Sequence, residues 1–125
     1  MNWPALILAI AMVESGNDPN AVGKAGEVSR LQISDIMRRD YIRLYRPAYE
    51  PTMHDLRHSP GTDQYIFKYM VQHYGADKSV TSAALFWHHG PSWMRKNNKD
   101  LDYARRVNAL YVEYCKDTNQ TGEIK

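Results

Sequence analysis

Five stretches of this 125-residue chain carry apolar residues three and four positions apart, the period of a helix that buries one face. Four of the five stop at glycine or proline. The first has Trp3, Ile7, Ile10 and Ala11 on its stripe, Asn2 as N-cap and Pro4 in a first turn where a missing N–H costs nothing. Ser15-Gly16-Asn17-Asp18-Pro19 ends it. Ser34 caps a second helix through Ile36, Met37, Tyr41 and Leu44 to about Tyr45. Thr62 is read as the cap of a third, with Ile66, Tyr69, Met70, His73 and Tyr74 on its stripe and Gly75 as its C′ residue. Val80, Ala83, Ala84, Trp87 and His88 form a fourth that halts at Gly90-Pro91. The last runs from about Asp100 to Asp117, with Tyr103, Ala104, Val107, Leu110, Tyr111 and Tyr114 inward.

Two segments escape this period. In residues 22–33, Gly23 and Gly26 keep the chain irregular until Val28–Ile33, the one place where a short strand or small hairpin is expected. Pro47 to Gly61 has no convincing period and reads as a loop of the length that usually serves function. The expected fold is therefore α-dominated (α+β at most), with about five to six helices. One core is all that 125 residues at 43% hydrophobic content can fill, so a single domain over residues 1–117 is expected, with a polar tail at 118–125.

Charge excludes more than it proposes. Sixteen Lys and Arg against fourteen Asp and Glu leave +2, which suits an anionic glycan but falls short of a nucleic-acid footprint. Cys115 is the one cysteine, so no intramolecular disulfide can form and packing must supply stability. Its expected role is a small apolar one at the edge of the last helix. The apolar run of residues 1–10 has no basic n-region or cleavage site and is too short to span a bilayer, so neither a signal peptide nor membrane insertion is expected. A monomer is the default.

Chemistry concentrates at Glu14. It ends an uncharged helix, Ala9-Ile10-Ala11-Met12-Val13-Glu14-Ser15-Gly16, on or beside the inward face. Desolvation disfavours the carboxylate, so such a group keeps its proton nearer neutral pH and becomes a better general acid. Most helix-end glutamates are merely solvated or satisfy a local cap. Here Ser15-Gly16-Asn17 adds a hydroxyl and exposed backbone donors beside the acid.

Other candidates carry less. His54 and His58, with Asp55 between them, are crowded by Pro51 and Pro60 and lack a third strong ligand, so no metal is expected. Adjacent His88 and His89 cannot face one ligand from a helix, and His73 reads as a hydrogen-bonded core residue. Gly23-Lys24-Ala25-Gly26 lacks phosphate-loop spacing and context, and no cofactor is implied. Nine tyrosines and three tryptophans exceed what this core needs; Tyr45, Tyr49, Trp87 and Trp93 are the first candidates to stack on sugar rings.

The order of motifs carries a resemblance. Glu14-Ser15-Gly16, then Ala21-Val22-Gly23 and Gly26-Glu27, then Leu31-Gln32-Ile33 resembles the Glu-Ser and Gly-x-x-Gln-Ile pattern of SLT-like lytic transglycosylases and goose-type lysozymes. Ala84-Leu85-Phe86-Trp87-His88-His89-Gly90-Pro91 is similar to their Asn-x-Gly-Pro block, and Tyr103-Ala104 with Val107 to their closing helix. The resemblance implies a lysozyme-like fold and cleavage of the β-1,4 bond between N-acetylmuramic acid and N-acetylglucosamine in peptidoglycan. It places the general acid on Glu14, sugar contacts on Ser15, Gln32, Trp87 and His88, and a supporting phenol on Tyr103. Glu27 joins the substrate-binding set because it lies in the matching block. In the transglycosylase reaction Glu14 acts as acid and then as base, closing a 1,6-anhydro ring.

Two positions depart from the pattern: Ser29 stands where the glycine is usual, and His88 where the Asn is. If position 29 needs positive φ, serine is strained there. A hydrolase alternative needs a second carboxylate, roughly 6.5–9.5 Å away in an inverting pair. Asp18, Glu27, Asp35 and Asp55 are the candidates. A glycan-binding domain of the same fold without turnover is the further alternative. The expected location is extracellular, periplasmic or phage-delivered to the cell wall.

Overall fold

The computed structural model describes residues 1–120. Among them are six α-helices and no strand: α1 (Trp3–Ser15), α2 (Asp35–Tyr45), α3 (Met53–His58), α4 (Thr62–His73), α5 (Val80–His89) and α6 (Leu101–Gln120). Single 3₁₀ turns at Ala76–Lys78 and Trp93–Arg95 precede α5 and α6. None of the described helices is long and apolar enough to cross a membrane.

Helix α1 is the centre of the core. Ala5, Leu6, Ile7, Ala9, Ile10 and Ala11 are all buried, which covers more of the helix circumference than one stripe and marks a helix packed on several sides. The Asn2 side chain accepts from Ala5 N, and Gly16 at φ 68° ends the helix with its N–H on Met12 O. Helix α6 runs antiparallel to α1: Asn2 N donates to the Tyr111 hydroxyl at one end, and Tyr103 meets Glu14 at the other. Helix α5 packs on the same α6, and α4 closes the core with Ile66, Phe67, Met70 and Val71. Of the six inward positions expected on α6, Tyr103, Ala104 and Val107 are buried, while Leu110, Tyr111 and Tyr114 are half-buried against the rim.

Several expectations need correction. Residues 22–33 form no hairpin: isolated antiparallel bridges join Val22 to Val28 and Val28 to Ile33, and Gly26 at φ 86° with Ser29 and Gln32 in the left-handed region breaks the chain before a ladder can extend. The Pro47–Gly61 segment is not all loop. Thr52 and Asp55 make a reciprocal capping box that starts α3, and only Leu56 of its six residues is buried. Thr62 is the first residue of α4 rather than its cap, because Gly61 at φ 92° takes the cap position without a side-chain bond. His73 is exposed, its ring stacked at 5.7 Å on Tyr69, because it closes α4 where the core ends. Ile36 is also exposed, at 80%. Finally, α6 continues to Gln120, into the expected tail, whose residues 121–125 lie outside the described residues.

Candidate active site

Glu14 stands at the last turn of α1, half-buried, and lines a cleft of about 440 Å³ together with Glu27, Gln32, Trp87 and His88. Ile36 and Met37 of α2 form its apolar lip, and His89-Gly90-Pro91 closes the end of α5. Three chain segments far apart in sequence thus meet around one acid.

The turn over residues 29–32 supports that meeting. Three consecutive carbonyls are each captured by a side chain: Ser29 O by Gln32 Nε2 at 2.9 Å, Arg30 O by Ser15 Oγ at 2.7 Å, and Leu31 O by the Trp87 indole N–H at 2.9 Å. Gln32 Nε2 also donates to Ala21 O at 3.3 Å. The turn requires φ of 73° at Ser29 and 57° at Gln32, a left-handed backbone that costs an L-residue roughly 1–2 kcal/mol. Ser29 offsets part of this, since its buried hydroxyl accepts from Leu31 N at 3.1 Å. Position 29 therefore needs the positive φ that a glycine would supply freely.

These bonds reassign two of the residues expected to touch substrate. Ser15 does not line the cleft; its hydroxyl joins α1 to Arg30 O and accepts from Asp18 N. Trp87 lines it with only 9% exposure and packs its ring 4.7 Å from Phe67, so it is a wall and anchor rather than an open stacking platform. Trp93, another expected stacking ring, is half-buried, and Tyr45 and Tyr49 line a different cavity. Gln32, Glu27 and His88 remain on the cleft surface.

Glu14 and Tyr103 form the site's central contact. The Tyr103 hydroxyl donates to Glu14 Oε2 at 2.5 Å, with the phenol buried at 3% exposure. Burial pushes the Glu14 carboxyl up from the ordinary range and outweighs the Tyr103 hydrogen bond and the charge of His88, which both pull it down. The Glu27 charge raises it further. Burial, and then the Glu14 charge, push the Tyr103 phenol well up, so it serves as a donor and not as a base.

A second layer orients Tyr103. His88 stacks on its ring at 4.4 Å, and His88 Nε2 lies 3.3 Å from Asp100 Oδ2. Asp100 caps α6 by accepting from Tyr103 N at 3.0 Å, a bond that lowers its carboxyl pKa, while its own N–H donates to His89 Nε2 at 2.9 Å. His89 is held below the ordinary histidine range, chiefly by burial and next by the charge of His88. The adjacent histidines thus meet two different groups of one residue, His88 the Asp100 carboxylate and His89 its backbone N–H. Asp100 and His89 escape sequence reading because their roles depend on contacts between two helices.

Gly23 is another residue missed. A Cβ there would sit 2.5 Å from Gln32 Oε1 and 2.8 Å from Glu27 Oε1, so only a bare Cα lets both side chains reach the cleft. Glu27 Oε1 also accepts from Ala25 N at 2.8 Å. Asp18, Asp35 and Asp55 do not line the cleft: Asp18 accepts from Asn20 N, Asp35 pairs with Arg38 and Arg39, and Asp55 sits in its capping box. His54 and His58 come within 4.3 Å ring to ring on α3, and no group of three or more His, Cys, Asp or Glu converges among the described residues.

Fold and site together define an all-helical domain of six helices, among the described residues, that presents a half-buried acid in a mixed polar and apolar cleft. No protein-family model, curated protein or solved structure matches the chain.

Proposed function

We propose that the domain is a peptidoglycan-cleaving muramidase of lytic transglycosylase type, cutting the β-1,4 bond between N-acetylmuramic acid and N-acetylglucosamine. The observation that carries the reading is Glu14: a carboxyl whose pKa burial raises above the ordinary range, hydrogen-bonded by Tyr103 and opening on a cleft. The motif resemblance described above supports the substrate.

Glu14 donates its proton to the glycosidic oxygen as the bond from that oxygen to the muramoyl anomeric carbon breaks. The resulting carboxylate is the form that Tyr103 and His88 favour. It then takes the proton of the muramoyl C6 hydroxyl as that oxygen attacks the anomeric carbon, closing the 1,6-anhydro ring. The acid is restored without water. No metal or cofactor enters this route, and the substrate places the work outside the cytoplasm, in an extracellular, periplasmic or phage-delivered setting.

A specific observation favours a second reading. Glu27 lines the same cleft and its charge acts on Glu14, so a hydrolase with Glu27 activating water is the alternative. Incubation with purified cell walls and mass analysis of released muropeptides separates the two, because anhydro products are one water lighter. Glu14→Gln abolishes clearing with the fold retained. Undiminished clearing by that variant rejects both readings.

A further inference from the structure

A cavity larger than the one that holds Glu14 lies elsewhere in the domain. A cavity of about 670 Å³ opens between α2, α3 and α4 and shares no lining residue with the Glu14 cleft. Its volume falls in the range of small-molecule sites, about 300–1,000 Å³. Five of the nine tyrosines line it: Tyr41, Tyr45, Tyr49, Tyr65 and Tyr69.

These rings divide into a floor and a rim. Tyr41 is buried, with Tyr45 stacked on it at 5.3 Å and Tyr69 edge-on at 5.6 Å, which builds a fixed aromatic base. At the rim, Tyr49 and Tyr65 are 69% and 67% exposed, so they add little to the core. Yet Tyr49 is held in place. Its hydroxyl donates to Asp55 Oδ2 at 2.9 Å, the oxygen that also accepts from Thr52 N in the capping box, and Arg38 ties the same loop to α2 through Pro51 O at 3.1 Å. An exposed aromatic ring secured through a helix cap is preorganised for a ligand rather than for packing.

Chemistry around the rings selects the ligand. Lys68 directs its ammonium toward the Trp3 ring, 5.4 Å from the centroid, and Asp55 is already hydrogen-bonded by Tyr49 and Thr52, so neither charge calls for a charged ligand. Ser59, Thr62 and Gln72 add hydroxyls and an amide between the aromatic faces. Flat apolar faces alternating with neutral donors and acceptors match a pyranose ring, whose C–H faces stack while its hydroxyl and acetamido groups hydrogen-bond. A proline-rich peptide would use the rings and leave most of those polar groups unpaired.

We propose that this tyrosine cavity is a second, non-catalytic saccharide site that grips a neutral amino-sugar segment of the glycan strand. The ligand class rests on the peptidoglycan reading; the existence of a second site does not. On a polymeric substrate a second grip raises the effective concentration of strand at the cleft without any new contact to Glu14.

The test uses the full chain carrying Glu14→Gln, titrated with β-1,4-linked N-acetylglucosamine oligosaccharides and followed by backbone amide NMR. Shifts are expected in two groups, one around Gln32 and His88 and one around Tyr45, Tyr49 and Gln72. Adding Tyr49→Ala, or Tyr65→Ala as an independent variant at another exposed ring, weakens the second group at least tenfold and leaves the first. Shifts confined to the cleft overturn the proposal, as does a cavity that answers to a proline-rich peptide but not to the oligosaccharide. Wall clearing by wild type and Glu14→Gln tests the catalytic reading separately, so a catalytic failure with both groups of shifts present still supports the second site.

Discussion

Tyr103 donates a 2.5 Å hydrogen bond to Glu14 across 89 positions of sequence, fastening the C-terminal end of α1 to the start of α6 at a half-buried acid of the cleft. This bond favours the carboxylate while burial favours the acid, so the two together hold Glu14 between them. Tyr103→Phe removes only the first influence. The Glu14 carboxyl then rises further, and the basic limb of the pH–activity profile moves to higher pH. Activity at neutral pH is expected to fall about tenfold as aim is lost, with about 1–2 kcal/mol of stability. A pH–rate profile on cell walls beside thermal denaturation checks both.

Glu14 also implies a cost to stability. Its folded-state pKa lies above the unfolded value, so the folded state binds the proton more tightly and ionisation works against folding. The penalty is absent below the unfolded pKa, where both states are protonated, and is fully developed above the folded pKa. Glu14→Gln should therefore raise the melting temperature by a few degrees at neutral pH, with the gain shrinking as pH falls toward the ordinary carboxylate range. A gain independent of pH would contradict this account.

Gly23 separates site geometry from stability. Gly23→Ala drives a methyl against the ends of Gln32 and Glu27, flexible side chains that can yield, so the fold should survive with less than about 1 kcal/mol lost. The cleft does not survive as built. Wall clearing is expected to fall tenfold or more, and unchanged activity in the alanine variant would show that neither side chain works where it now lies.

Ser29 carries strain and a hydrogen bond together, and two substitutions divide them. Ser29→Ala keeps the φ of 73° and loses the bond to Leu31 N; Ser29→Gly loses the same bond and relieves the strain. The glycine variant is expected to be more stable than the alanine variant by about 1 kcal/mol, measured by denaturant titration. Equal stabilities would mean that the turn imposes no strain.

Helices and their ends were legible in the sequence because local chemistry decides them. Asn2, Ser34 and Gly75 take the capping positions that their side chains, or the lack of one, suggest. Where the local signal was shared among neighbours, the reading slipped: Thr52 and Asp55 cap a helix in what looked like loop, and Gly61 displaces Thr62. In the candidate site, Glu14 was legible from its uncharged helix and Gln32 from its motif. The hydrogen bonds of Ser15 and Trp87 were not legible, because their sequence neighbourhood gives no sign that they hold Arg30 O and Leu31 O.

The sequence by itself determined a helical series around one core and put an acid at the end of its most apolar helix, since periodicity and capping act over a few residues. Only the tertiary structure decided what that acid meets. Tyr103, His88 and Glu27 reach it through helix packing and a strained turn, and the tyrosines of α2 and α4 gather around a separate cavity for the same reason. Burial and long-range hydrogen bonds belong to the assembled chain, and they are what set a proton's affinity and a ring's exposure.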